Sequence, residues 1–67
     1  MSIVDKATRS KQHFDAREWK LAAQLFYEVR AELAQAGKEA VQLGDGNIAI
    51  VVERDSEGNV TKTEPLA

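Results

Sequence analysis

A chain of 67 residues with no cysteine leaves room for one small domain and for neither a disulfide nor a thiolate metal site. Its 11 acidic and 9 basic side chains give a formal charge of −2, too little for a strong overall field toward nucleic acid or anionic lipid. Hydrophobic residues make up 43% of the chain, which places it among folded proteins. No apolar run approaches the roughly 18 residues of a membrane span, and no apolar core follows a basic start as in a signal peptide. The expectation is a single domain over 1–67 in the cytoplasm, with no membrane partner. A core of this size is marginal, and small folds often add a partner subunit.

Residues 1–13 form a basic N-terminal segment with Lys6, Arg9 and Lys11. Ser2 followed by Asp5 has the spacing of a helix-capping pair. Ile3, Val4, Ala7 and Phe14 would give such a helix a thin apolar edge. Three readings fit: a separate short helix, an extension of the element that follows, or an arm.

The stretch 15–37 reads as one long amphipathic helix. Asp15 is a natural N-cap and Glu18 stands three residues on, close to a capping box. Phe14 before the cap and Trp19 at the fourth helical position have the spacing of a hydrophobic staple. Gly37 supplies the left-handed residue that ends a helix. Trp19, Ala22, Phe26, Val29, Leu33 and Ala36 alternate gaps of three and four and so make one stripe. Such a helix would be about 33 Å long, longer than the about 28 Å diameter of a compact chain of this length.

After Gly37 the pattern changes to strands, placed at about 40–43, 47–54 and 59–64. Val41-Gln42-Leu43 alternates, Gly44-Asp45-Gly46-Asn47 is turn chemistry, and Ile48 to Val52 is rich in β-branched residues. Asp55 to Asn59 is a second hairpin loop. Val60 to Thr63 is a polar edge strand that Pro65 ends. The fold class is therefore α+β: the long helix, with or without a short one before it, packed on a three-stranded antiparallel β-meander. Trp19, Phe26, Leu33, Ile50 and Val52 are the expected shared core.

The residues offer little for chemistry. His13 is the one histidine and no positioned partner is evident. Ser2, Ser10 and Ser56 lack a nucleophile-elbow context. The Asp55–Asn59 loop lacks the ligand pattern of a calcium site, and Gly44-Asp45-Gly46 lacks the spacing of a phosphate loop. No enzyme activity, cofactor or metal is expected. The charge is polarised, however. Residues 1–20 hold five basic and three acidic side chains, and the remainder holds four basic and eight acidic. Lys6, Arg9, Arg17 and Lys20 are thus candidates for a nucleic-acid patch.

Self-association has more support. The helix is as long as the domain, and the middle strand is apolar on both faces. Phe14, Leu21 and Leu25 make a second apolar line outside the main stripe. These three are the candidate dimer-interface residues. The expected function is a small non-enzymatic interaction protein (an adaptor, inhibitor or regulatory accessory) that works as a homodimer and binds an unidentified protein. A nucleic-acid-associated regulator ranks second.

Overall fold

The computed structural model describes residues 2–66. Two helices, α1 (Ile3–Asp15) and α2 (Trp19–Gln35), form one layer. Three strands, β1 (Ala40–Gln42), β2 (Ile48–Arg54) and β3 (Val60–Pro65), form the other, antiparallel in the order β1-β2-β3. The chain is α+β, with two helices on a three-stranded antiparallel meander.

The helical half corrects the single long helix expected over 15–37. α1 is 13 residues and α2 is 17, so neither is a minor appendage of the other. Ser2 does cap α1, its hydroxyl accepting from the Asp5 amide at 3.1 Å. The helix then runs through Phe14 to Asp15, which is a last helical residue and not a cap. The break falls at residues 16–18. Arg17 takes the left-handed conformation (φ 61°), Glu18 N–H donates to the His13 carbonyl at 2.8 Å, and Arg17 N–H donates to that of Phe14 at 3.0 Å. That bond pair is a Schellman motif. The end of α2 repeats it, with Gly37 at φ 74° and Lys38 and Gly37 donating to Leu33 and Ala34. Asp-x-x-Glu at 15–18 imitated a helix start, while the actual stop uses an arginine where a glycine is usual. Phe14 and Trp19 do meet, edge to face at 5.1 Å, but across the turn joining two helices.

A left-handed arginine carries a steric cost of about 1–2 kcal/mol that glycine avoids, partly offset by glycine's greater freedom when unfolded. Arg17→Gly is therefore expected to raise stability by about 0.5–1 kcal/mol, read as a higher urea midpoint at unchanged slope. A lower midpoint would mean that the Arg17 side chain contributes more than its backbone costs.

The core sits where the helices meet the sheet. Val29 is fully enclosed, and Ala7, Leu33, Ala40 and Ile48 complete the buried cluster, with Ile3, Phe26, Ile50 and Leu66 half-buried around it. Of the five expected core residues, Leu33 is buried and Phe26 and Ile50 flank the cluster. Trp19 (57% exposed) and Val52 (47%) lie outside it. At 100° per residue Trp19 is rotated some 40–80° from Ala22, Val29 and Leu33, the buried residues of α2. Val52 sits where the β2–β3 register shifts between Val51 and Glu53. The molecule measures 35 × 23 × 18 Å. At about 25 Å α2 fits within it, so helix length gives no support to self-association.

Both hairpins are built alike. Gly46 N–H donates to Leu43 and Gly58 N–H to Asp55, each glycine having positive φ and closing a three-residue loop. Gly46 has a second constraint: a Cβ there would lie 2.5 Å from the Phe14 ring, whereas one on Gly58 would meet open space.

Candidate interaction surfaces

The polar interior fixes how the two layers meet. Ser10 is fully buried on α1. Its hydroxyl donates to the Ala22 carbonyl of α2 at 2.8 Å and accepts from Gln42 Nε2 of β1 at 3.0 Å. Gln42 Nε2 also donates to the Gly46 carbonyl, and Lys11 Nζ donates to the Asp45 carbonyl at 2.6 Å. With Phe14 against Gly46, these bonds clamp the β1–β2 turn onto α1. The Ser10 hydroxyl is thereby committed to structure, and nothing leaves it free as a nucleophile.

His13 pairs through Nδ1 with Glu18 Oε1 at 2.9 Å on the turn between the helices. That pair ties the two ends of the Schellman motif together, at the positions where an apolar contact is more usual. Among the described residues no group of three or more His, Cys, Asp or Glu side chains could hold a metal. No helix of the described residues is long and apolar enough to cross a membrane.

Three carboxylates with defined partners, Asp45, Asp55 and Glu39, serve loops and strand ends. Hydrogen bonds from Asn47 hold the Asp45 carboxyl below the usual carboxylate range, and those from Asn59 do the same for Asp55. Glu39 is lowered by the guanidinium of Arg54, which also reaches the Gly58 carbonyl. All three groups are solvated and build turns and a strand crossing.

The basic candidates do not act as one set. Lys6 turns toward α2, where it meets Glu32 at 2.7 Å and Glu28 at 3.5 Å, and its pKa is raised by the Glu32 bond first. Its charge is already matched by two carboxylates. Arg9, Arg17 and Lys20 are exposed.

The dimer candidates also separate. Phe14 is half-buried between Trp19 and Gly46. Leu25 is half-buried on the side of α2 that carries Glu28 and Glu32, the side against which Lys6 draws α1. Leu21 shares that side but stays 44% exposed near the start of α2.

Two apolar surfaces stand out, of which the sequence pattern singled out only the second. The first is on α2. Trp19, Ala23 and Tyr27 are spaced by four, and both aromatic residues are more than half exposed. Phe14 touches Trp19 and Phe26 touches Tyr27 (ring centroids 5.8 Å apart), so all four aromatic residues of the chain adjoin this stripe. The second is the sheet face turned from the helices. Ala40, Gln42, Ile48 and Ile50 point to the helical layer, so Val41 and Val51 alternate to the other face, where both are half-buried, while Ala49 between them is buried. Leu43 and Val60 border a shallow concavity beside them. Periodicity alone had assigned Trp19 to the core; only its position relative to α1 shows otherwise. A larger open hollow, about 450 Å³, lies between α1 and the start of β2, with Ala7, Thr8, Lys11, Ile48 and Pro65 among its walls. Its ammonium, Lys11, is bound to Asp15 and to the Asp45 carbonyl.

Compared with known proteins, the chain matches no family model, no curated protein and no solved structure.

Proposed function

We propose that this chain is a small, cytoplasmic, non-enzymatic interaction protein that works as a homodimer and acts as an adaptor, inhibitor or regulatory accessory toward another protein. The observation that carries this reading is the pair of apolar surfaces on opposite layers. Trp19 and Tyr27 are exposed together on the helical layer, and Leu43 and Val60 are exposed beside the outer sheet face. A contiguous exposed apolar patch on a soluble monomer is usually an interaction site. One layer can join two copies while the other meets a partner. The polar side chains with defined geometry are tied to caps, turns and cross-layer bonds, which suits a scaffold that presents surfaces.

Sedimentation equilibrium over micromolar concentrations tests the first half. A mass of two 7.4 kDa chains is expected. A single-chain mass throughout would remove the homodimer. Affinity capture from the native host, with the outer sheet face altered by Val51→Lys as control, tests the second half. A partner retained equally by the wild type and the variant would show that it binds elsewhere.

The nucleic-acid reading retains the exposed Arg9, Arg17 and Lys20, without Lys6. It requires duplex or single-strand binding that falls steeply with salt, because bound phosphates release counterions. Absence of binding at low salt would exclude it.

A further inference from the structure

We infer that the two copies pair through the aromatic stripe of α2, in an antiparallel, two-fold arrangement centred on Ala23. This rests on the homodimer proposed above and says which surface forms it.

The stripe is self-complementary about its midpoint. Trp19 and Tyr27 stand four residues either side of Ala23, about 6 Å along the helix axis in each direction. A two-fold axis at Ala23 sets Ala23 against its own copy, where a small side chain lets the helices approach closely. It also sets Trp19 beside Tyr27 of the partner subunit, and the reverse at the other end. The two rings flank the stripe's midline on opposite sides, at 40° each from Ala23, so they lie side by side instead of colliding. Isologous contacts of this kind are the commonest way for identical chains to pair.

Charge favours the same orientation. Arg30 is the charged residue nearest the midline of the stripe, one turn beyond Tyr27. Parallel packing in register would bring two Arg30 side chains together. The antiparallel arrangement holds them about 21 Å apart along the axis and lays each over the partner's turn at residues 15–18. That turn carries Asp15 and Glu18, which Arg17 and the Lys11 bonded to Asp15 balance, so the gain comes from the separation of the two Arg30 side chains. Lys20 falls beside Tyr27 of the partner subunit, where an ammonium over a ring face is favourable.

The four rings supply at most about half of the area that a stable interface buries. With more than half of each ring exposed, Trp19 and Tyr27 leave roughly 100–150 Å² apiece to be covered, hence about 400–600 Å² from four rings. Ala23, Phe26, Arg30 and Ala34 extend the contact toward the about 1,200 Å² at the lower end of stable interfaces. Trp, Tyr and Arg are also the residue types that dominate binding energy at interfaces.

Trp19 is the one tryptophan in the chain, so it reports directly on this surface. The expected result is a blue shift of its emission with rising protein concentration, with the same midpoint as the mass change seen by sedimentation. Tyr27→Lys and Ala23→Glu should each weaken the dimer at least about tenfold, with far-UV circular dichroism unchanged. Leu21→Glu, on the other side of α2, should alter it less than about twofold. If either stripe variant loses its helical signal, the wild-type emission decides alone. A dimer whose Trp19 emission ignores concentration would overturn the inference while leaving the homodimer in place. So would a dimer broken by Leu21→Glu and indifferent to Tyr27→Lys. A wild type that is monomeric throughout removes the homodimer itself.

Discussion

Gly46→Ala should destabilise the fold by roughly 2–5 kcal/mol, while Gly58→Ala should cost only about 1–2 kcal/mol. Both glycines close a three-residue hairpin loop at positive φ, and an alanine there carries the left-handed penalty of about 1–2 kcal/mol in each. The difference lies in what surrounds them. The Gly46 Cβ would enter the Phe14 ring, and that ring is held between Trp19 and the turn. Relieving such an overlap costs about 1–3 kcal/mol more and would pull the β1–β2 turn from α1. The Lys11–Asp45 and Gln42–Ser10 bonds span the same junction, so they would lengthen together. Urea unfolding of the two variants side by side measures the gap. Equal midpoints would mean that Phe14 swings aside without loss, and that the clamp is weaker than its geometry implies.

Leu33→Ala should cost roughly 2–5 kcal/mol and should exceed the cost of Phe26→Ala, although phenylalanine loses more atoms. Leu33 is buried among Val29, Ala40 and Ile48, and its removal leaves a cavity that two layers must collapse to fill. Phe26 only flanks that cluster, and water can take part of the space its ring vacates. Domains this small hold about 3–5 kcal/mol of stability, so Leu33→Ala is expected to be largely unfolded at 37 °C. Thermal melts followed by circular dichroism give the order directly. A lower melting temperature for Phe26→Ala would move the centre of the core toward the start of α2.

The strands were legible in the sequence to within about one residue at each end, because two devices mark them strongly. Ile48 to Val52 is β-branched enough to exclude a helix, and Gly46 and Gly58 sit where three-residue hairpin loops need positive φ. The stop at Gly37 was legible for the same reason. The stop at Arg17 was not, since its signal is a pair of backbone bonds and no residue type announces it. That miss propagated. With Phe14 and Asp15 as the entry to a single helix, Trp19 falls on the core stripe and α1 has no defined place. Ser10 shows a different limit. Its burial depends on Ala22 and Gln42, which lie 12 and 32 positions away, and no local pattern distinguishes it from Ser2 or Ser56. The exposed stripe of Trp19, Ala23 and Tyr27 follows from both. It could be separated from the core only after the position of α1 was known.

The sheet has two free edges, and neither invites another strand. β1 spans three residues, too short to template a stable pairing. β3 carries Lys62 and ends at Pro65, whose ring supplies no amide hydrogen. Strand addition, the route by which small open sheets polymerise into fibrils, is therefore blocked at one side by brevity and at the other by charge and proline. What the sheet offers a neighbour is therefore a bounded face and not an endless ladder.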